Sequence, residues 1–219
     1  MTDTAPTART RVRRHAERGA YDRDTIYDIL DAGLICHVGI VEDGQPFVIP
    51  TIHARLGDRL LLHGSPGSRL LRTIKNGASL CVTVTLLDGL VLARSAMHHS
   101  MNFRSVVLLG KGSVIEDEAE KIQALQAISD HIIPGRWTEI RPPNAAELKM
   151  TMVVAIPIDE ASAKVRTGPP VDDEDDYGLA VWAGVLPLQL TPQTPQPDGR
   201  LLEGVSIPEY VRHYQRPTD

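Results

Sequence analysis

The sequence predicts a mainly β protein: an antiparallel barrel of six to eight strands with helices at its periphery. Three observations carry that expectation. Apolar, β-branched runs follow one another directly, with no regular strand–helix–strand alternation. Turn pairs punctuate them at Asp43-Gly44, Gly57-Asp58 and Asp88-Gly89. Only DEAEKIQALQAISDHII, at 117–133, has the apolar spacing of a long amphipathic helix. Closing such a series of strands into a barrel removes open sheet edges.

The elements follow in order. Residues 1–20 read as a flexible basic arm, with Arg9, Arg11, Arg13, Arg14 and Arg18 opposed only by Asp3 and Glu17. Asp24 can cap a short helix whose stripe is Ile26, Ile29 and Leu30, ended by Gly33. A meander comes next: LICHVGIV (34–41), PFVIPTIHARL (46–56) and RLLLHG (59–64). Leu70, Leu71 and Ile74 mark a second short helix, terminated by Gly77. Strands resume at 79–87, turn at Asp88-Gly89 and continue at 90–96. SVVLLGKGSVIE (105–116) reads as one long strand bent at Gly110 and Gly112. In the 117–133 helix Ile122, Leu125, Ile128 and Ile132 share a face, and Pro134-Gly135 ends it. Asn144 can cap a helix ending near Met150, before strands at 151–158 and 161–168. DDEDD (172–176) reads as an exposed acidic loop. The division is an arm at 1–20, one barrel domain at 21–190 and a Pro-rich tail at 191–219.

Composition excludes several functions. With 219 residues and 42% hydrophobic content, the chain can build a real core. A net charge of −5 argues against general nucleic-acid binding. No apolar run approaches the roughly 18 residues of a membrane span, and none follows the basic N-terminus as in a secretory signal. Cys36 and Cys81 each lie in an apolar run, as buried free thiols do. A cytoplasmic protein without a membrane partner is expected.

Two segments carry candidate chemistry. His63-Gly64-Ser65-Pro66-Gly67-Ser68-Arg69 joins a strand to a helix. Its small residues let backbone N–H groups approach an anion, Ser68 adds a hydroxyl, and Arg69 can grip phosphate with two hydrogen bonds. An ordinary loop with a capping serine satisfies the same local pattern. It is neither a P-loop nor a GxGxxG motif. The second segment, residues 92–104, crowds Arg94, Ser95, His98, His99, Asn102 and Arg104 between apolar strands. Adjacent histidines on a strand point to opposite faces, so His98-His99 is a poor metal pair, and no metal site is expected. No nucleophile elbow appears.

The hairpin PFVIPTIHARLGDRLLLHGSPGSRLLRTI, the stretch CVTVTLLDGLVLARSAMHHSMNFRSVVLLGKG and the end AKVRTGPP…DEDDYGLAVWAGVLPL together resemble the pyridoxamine 5'-phosphate oxidase-related proteins. These are FMN-binding split barrels, and the chain is most similar to their flavin-nucleotide-binding, nitroimidazole-resistance-like branch. The resemblance implies a homodimer with FMN in a groove between subunits. It places the backbone of Ile49, Pro50 and Thr51 along the flavin ring and His63, Gly64 and Ser65 at a strand end beside the cofactor. Ser68 and Arg69 match the pair that holds the FMN phosphate. Arg94 and Ser95 fall near the ring and ribityl chain, His98, Asn102 and Arg104 in the cofactor or substrate pocket, and Trp182 where a tryptophan approaches the flavin from the second subunit. The C-terminal arginine pattern of true pyridoxamine 5'-phosphate oxidases is missing, so that activity is not carried over.

The expected function is an FMN-dependent oxidoreductase for a small-molecule substrate, with His63 and His98 as candidate proton carriers. A non-catalytic flavin carrier, or a related barrel holding haem or a deazaflavin, remains open. For haem, the eight histidines cannot be ranked from sequence.

Overall fold

The computed structural model describes residues 6–216. Among them, two antiparallel sheets face each other. The path of the larger runs β1 (Gly19–Ala20), β10 (Glu160–Arg166), β7 (Ser100–Gly110), β6 (Leu80–Leu92), β2 (Ile35–Glu42) and β3 (Gln45–Ile52). A further strand, β11 (Gly184–Pro187), pairs with the end of β6. The smaller sheet runs β4 (Ala54–Leu56), β5 (Arg59–Gly64), β9 (Met152–Pro157) and β8 (Ser113–Val114). Side chains from both sheets fill one core, including Val38, Val82 and Val106 from the larger and Leu60, Val154 and Ile156 from the smaller. This is the split barrel the sequence predicts.

The split comes from two places where the chain changes sheets. The stretch 46–56 is not one strand: it breaks at His53, leaving β3 in one sheet and β4 in the other. Residues 105–116 break likewise between Gly110 and Ser113. Gly112 is required there, since a Cβ would lie 2.7 Å from Ile74 Cγ2. The opposite correction applies to β6. Asp88-Gly89 is a bulge within one strand rather than a turn between two, because residues on both sides keep pairing with β7. Asp43 and Gly44, with φ of 51° and 77°, do form the tight hairpin turn.

Five α-helices lie around the barrel among the described residues. α1 (Arg23–Ala32) is capped by Asp22, whose carboxylate accepts the Thr25 N–H at 2.8 Å. Asp24 is not the cap: it is already inside the helix, whereas Asp22 keeps the extended backbone that capping needs. α2 (Arg69–Lys75) plugs the main core with Leu70, Leu71 and Ile74. α3 (Glu118–Ile132), capped by Asp117, covers a second apolar cluster with Ala124 and Ile128. α4 (Ala145–Lys149) starts in a capping box between Asn144 and Glu147. α5 (Glu209–Arg212) lies near the C-terminus. No helix of the described residues is long and apolar enough to cross a membrane.

The two ends are tied to the barrel where they are described. Residues 1–5 of the arm and 217–219 of the tail lie outside the described part. Further along the arm, Arg9 pairs with Glu160, Lys164 Nζ donates to Arg14 O at 3.2 Å, and β1 pairs with β10. At the other end Tyr214 donates to Ile132 O, and the Arg216 guanidinium donates to the carbonyls of Asp31, Ala32, Gly33 and His131. Arg216 thereby satisfies carbonyls that the end of α1 leaves open.

Candidate functional site

In the strand-to-helix turn at 63–69, two of the backbone N–H groups expected to face an anion are spent inside the turn itself. Ser68 N–H donates to Ser65 O at 2.9 Å and Gly67 N–H to Ser65 Oγ at 3.2 Å, so the turn is self-braced. The Ser68 hydroxyl makes no capping hydrogen bond. α2 has only seven residues, so its dipole is a weak attraction and side chains must carry most of any anion grip. The Arg69 guanidinium lies 4.1 Å from the Phe47 ring centroid and pairs with Glu42 at 3.0 Å, half-exposed. It is thus poised against the β2–β3 hairpin. His63, at the end of β5, is half-buried; its Nδ1 is buried without a partner, and burial lowers its pKa. Gly64 leaves room for Leu71, whose Cδ1 would stand 3.3 Å from an added Cβ.

Among the described residues β3 has only β2 as a strand neighbour, so its other edge is open there. Its residues alternate. Ile49 and Thr51 sit opposite Val38 and Cys36 and face inward, while Pro50 sits opposite His37 and faces outward.

The polar segment 94–104 is organised differently from the expectation. Its second half is strand, since β7 starts at Ser100. Its charged groups are already engaged. The Arg94 backbone N–H and guanidinium donate to Asp172 at 2.8 and 2.9 Å. Asp172 is therefore not part of an exposed acidic loop: its side chain has no solvent exposure. Burial alone would raise its pKa, but hydrogen bonds from Arg94 and the Ser95 backbone prevail and hold it below the usual range. Arg104 grips Asp88 with two hydrogen bonds of 2.9 and 3.1 Å. Asn102 is buried, accepting from Arg166 and donating to Gly168 O at 3.2 Å. Arg166 is itself buried, donates also to Gly168 O and Pro169 O, and has its pKa lowered by burial and by Arg18. His98 meets Asp173 at 3.3 Å, and His99 Nδ1 lies 2.8 Å from Ser95 O. The Ser95 hydroxyl is buried without a partner.

The chain does not gather these groups into a single pocket. Arg69 reaches Glu42, next to the Leu80 end of β6. Asn102 and Arg104 sit opposite Gly89 and Leu86, six to nine residues further along β6. That is roughly 20–30 Å of extended strand. Trp182, 67% exposed, folds its ring over Gly184, where an added Cβ would be 3.0 Å from the indole. Sequence reasoning missed Glu42, Phe47, Asp88, Asp172 and Arg166, all of which engage predicted site residues. Only Asp172 carried a local signal, and its acidic neighbours masked it.

The histidines separate by their surroundings. His53 and His131 pack ring against ring, with centroids 5.0 Å apart, and bind the carbonyls of Leu30 and Gly33. Burial and His131 push His53 down to about 4. His15, His98, His99 and His213 each have a polar partner. Among the described residues, His37 and His63 are the rings without one. No group of three or more His, Cys, Asp or Glu side chains clusters as a metal site there.

The pyridoxamine 5'-phosphate oxidase profile matches residues 22–165. Among solved structures, the flavocytochrome Anf3 from Azotobacter vinelandii is 46% identical, with a TM-score of 0.91 over 97% of this chain and 99% of that one. The FAD and heme binding protein from Mycobacterium smegmatis is 38% identical, with a TM-score of 0.85 over 89% of this chain and 96% of that one. A protein from Bacteroides thetaiotaomicron assigned to 5-nitroimidazole antibiotic resistance is 28% identical, with a TM-score of 0.56 over 67% of this chain and 86% of that one. No curated protein sequence matches.

Proposed function

The chain belongs to the pyridoxamine 5'-phosphate oxidase family, and on that premise we propose that it is a flavin-binding redox protein that works as a homodimer. The observation that carries the reading is the 63–69 turn. It offers an uncommitted serine hydroxyl and a half-exposed arginine next to the open-edged strand β3. A phosphate suits the first pair, and the edge of β3 suits a planar ring with its own donors and acceptors. A bound flavin supplies hydride or single-electron transfer. The protein's part is to hold the phosphate with Ser68 and Arg69, to lay Ile49–Thr51 along the ring, and to keep His63 neutral at its margin. The family resemblance favours FMN, whereas the Mycobacterium smegmatis relative is an FAD and heme binding protein.

The dimer rests on the outer face of the larger sheet. Residues directly opposite one another share a face, and this rule collects Ile35, Val41, Val48, Ile52, Leu87, Met101 and Val107 on the side away from the core. All are at least 37% exposed. An apolar face of this kind, interrupted by His37, Thr83, Thr85 and Ser105, marks an interface. A second copy there would also bring one protomer's 94–104 segment and Trp182 toward the other's 63–69 turn. Both cysteines are free, which fits a reducing compartment, and the reading places the protein in the cytoplasm, acting on a small-molecule substrate.

Haem is a second reading, favoured by two relatives that span most of this chain, a flavocytochrome and an FAD and heme binding protein. An axial ligand must be a neutral imidazole with a free nitrogen. The rings of His37 and His63 have no polar partner, the former on the apolar outer face; His53 also keeps a free Nδ1, but its ring is fully buried against His131 and bound to Leu30 O. The visible spectrum of the purified protein tests both readings. Flavin bands are expected, with a Soret band if haem is held. Loss of that band in His37→Ala or His63→Ala would identify the ligand. A colourless protein that takes up neither FMN nor FAD would reject the flavin reading.

A further inference from the structure

The segment from Leu188 to Ile207 is anchored at both ends and held by almost nothing between. At its start Leu188 N–H donates to Asp88 O at 3.0 Å, continuing the pairing of β11 with β6. At its end Tyr210 donates to Glu139 at 2.5 Å, and Tyr214 and Arg216 bind carbonyls at the ends of α3 and α1. The hydrogen bonds found from Thr191 to Ser206 stay inside the segment, such as Leu201 N–H to Asp198 O at 3.0 Å and Val205 N–H to Leu202 O at 3.3 Å. Nearly every residue from Leu186 to Ser206 is exposed. Yet the segment is rich in apolar side chains. Leu190 is 79% exposed, Leu202 77%, Val205 52% and Leu201 46%. Pro192, Pro195 and Pro197 stiffen it. A free linker has no reason to carry leucines outward at this density.

We propose that residues 188–207 form a strap that lies across the barrel of a second copy of this chain. Continuity selects this occupant. Leu186 sits opposite Leu90, which sits opposite Met101, and both Leu186 and Met101 are about half exposed on the outer sheet face. The strap therefore leaves the barrel at the border of the apolar face that the dimer would bury. That face also carries something to receive leucines. A mainly apolar cavity of about 340 Å³ opens between β2, β3, β6 and β7, with Val41, Pro46, Val48, Cys81 and Leu109 in its wall. Two copies related by a twofold axis each present a strap and a receiving face, so each embrace is made twice. Because both anchors stay on the strap's own barrel, the segment needs no refolding to engage.

The inference rests on the dimer reading but can fail separately from it. Benzoylphenylalanine is placed at position 202, and in a second protein at position 190, where the native side chains touch little of their own chain. Heavy-isotope and ordinary protein are mixed into hybrid dimers, the oligomeric state is measured by sedimentation, and the sample is irradiated. The expected result is a covalent product of twice the 24.0 kDa chain mass, with heavy–light peptide pairs joining the strap to β2, β3, β6 or β7. A protein that sediments as a dimer but cross-links only within one chain, or not at all, would overturn the strap and leave the dimer standing. A monomer would overturn both.

Discussion

A single proton at His53 shows how burial couples to stability. Burial first, and the neighbouring His131 second, lower its pKa from 6.5 to about 4. The unfolded chain therefore takes up a proton as pH falls below 6.5, and the folded chain resists it until about pH 4. The stabilisation from keeping His53 neutral is complete above pH 6.5. It drains as pH falls through that window, reaching about 3 kcal/mol. Denaturant titrations at neutral pH and near pH 4.5 should show this loss, and His53→Gln should flatten the slope. An equal slope in the variant would contradict it; the smaller residual slope belongs to His131, whose pKa burial also lowers. At the candidate site Arg69→Ala should weaken flavin binding by about 1.5–3 kcal/mol, the scale of a charge-assisted hydrogen bond. Fluorescence titration checks it, and unchanged affinity would remove Arg69 from the phosphate site. Candidate groups were legible where they lie close together in the chain. The Ser68-Arg69 pair stands out in seven residues of sequence. Asp172 did not, because its partner Arg94 is 78 positions away. The tie to Arg94 exists only once β6 and the stretch after β10 are side by side.

Elements divide along the same line. The cap at Asn144 was readable because a cap and the N–H it accepts from are three residues apart. The split of 46–56 at His53 was not, since apolar residues continue across the break and only the two sheets' separate pairings create it. Nor was the bulge at Asp88-Gly89, where a turn dipeptide serves β11 instead: a Cβ on Gly89 would meet Leu186 O at 3.1 Å. The joint between α1 and β6 yields a test at this scale. Gly33 has an ordinary φ of −77°, but an added Cβ would lie 2.3 Å from Val84 Cγ1. Valine is stiff at χ1 and cannot swing away. Gly33→Ala should therefore cost about 1–3 kcal/mol by overpacking. Thermal unfolding measures it, and a neutral result would mean that α1 shifts freely on the sheet.

For the whole molecule, the antiparallel barrel was legible because strand succession and turn spacing are sequence properties, whereas its split form came only with the family resemblance. The outer apolar face was hidden, since Val48 and Val107 look like core residues until the register sends them outward. Val48→Glu places a charge on that face without touching the core. It should convert a dimer into a monomer in sedimentation and weaken flavin binding in parallel, whereas an unchanged dimer would move the interface elsewhere. The central claim, that the barrel is built to hold a flavin, is tested most directly by titrating flavin-free protein with FMN and with FAD and following flavin fluorescence. Saturable quenching by at least one of them, at one flavin per chain, is the predicted result. The absence of saturable binding of either would contradict it.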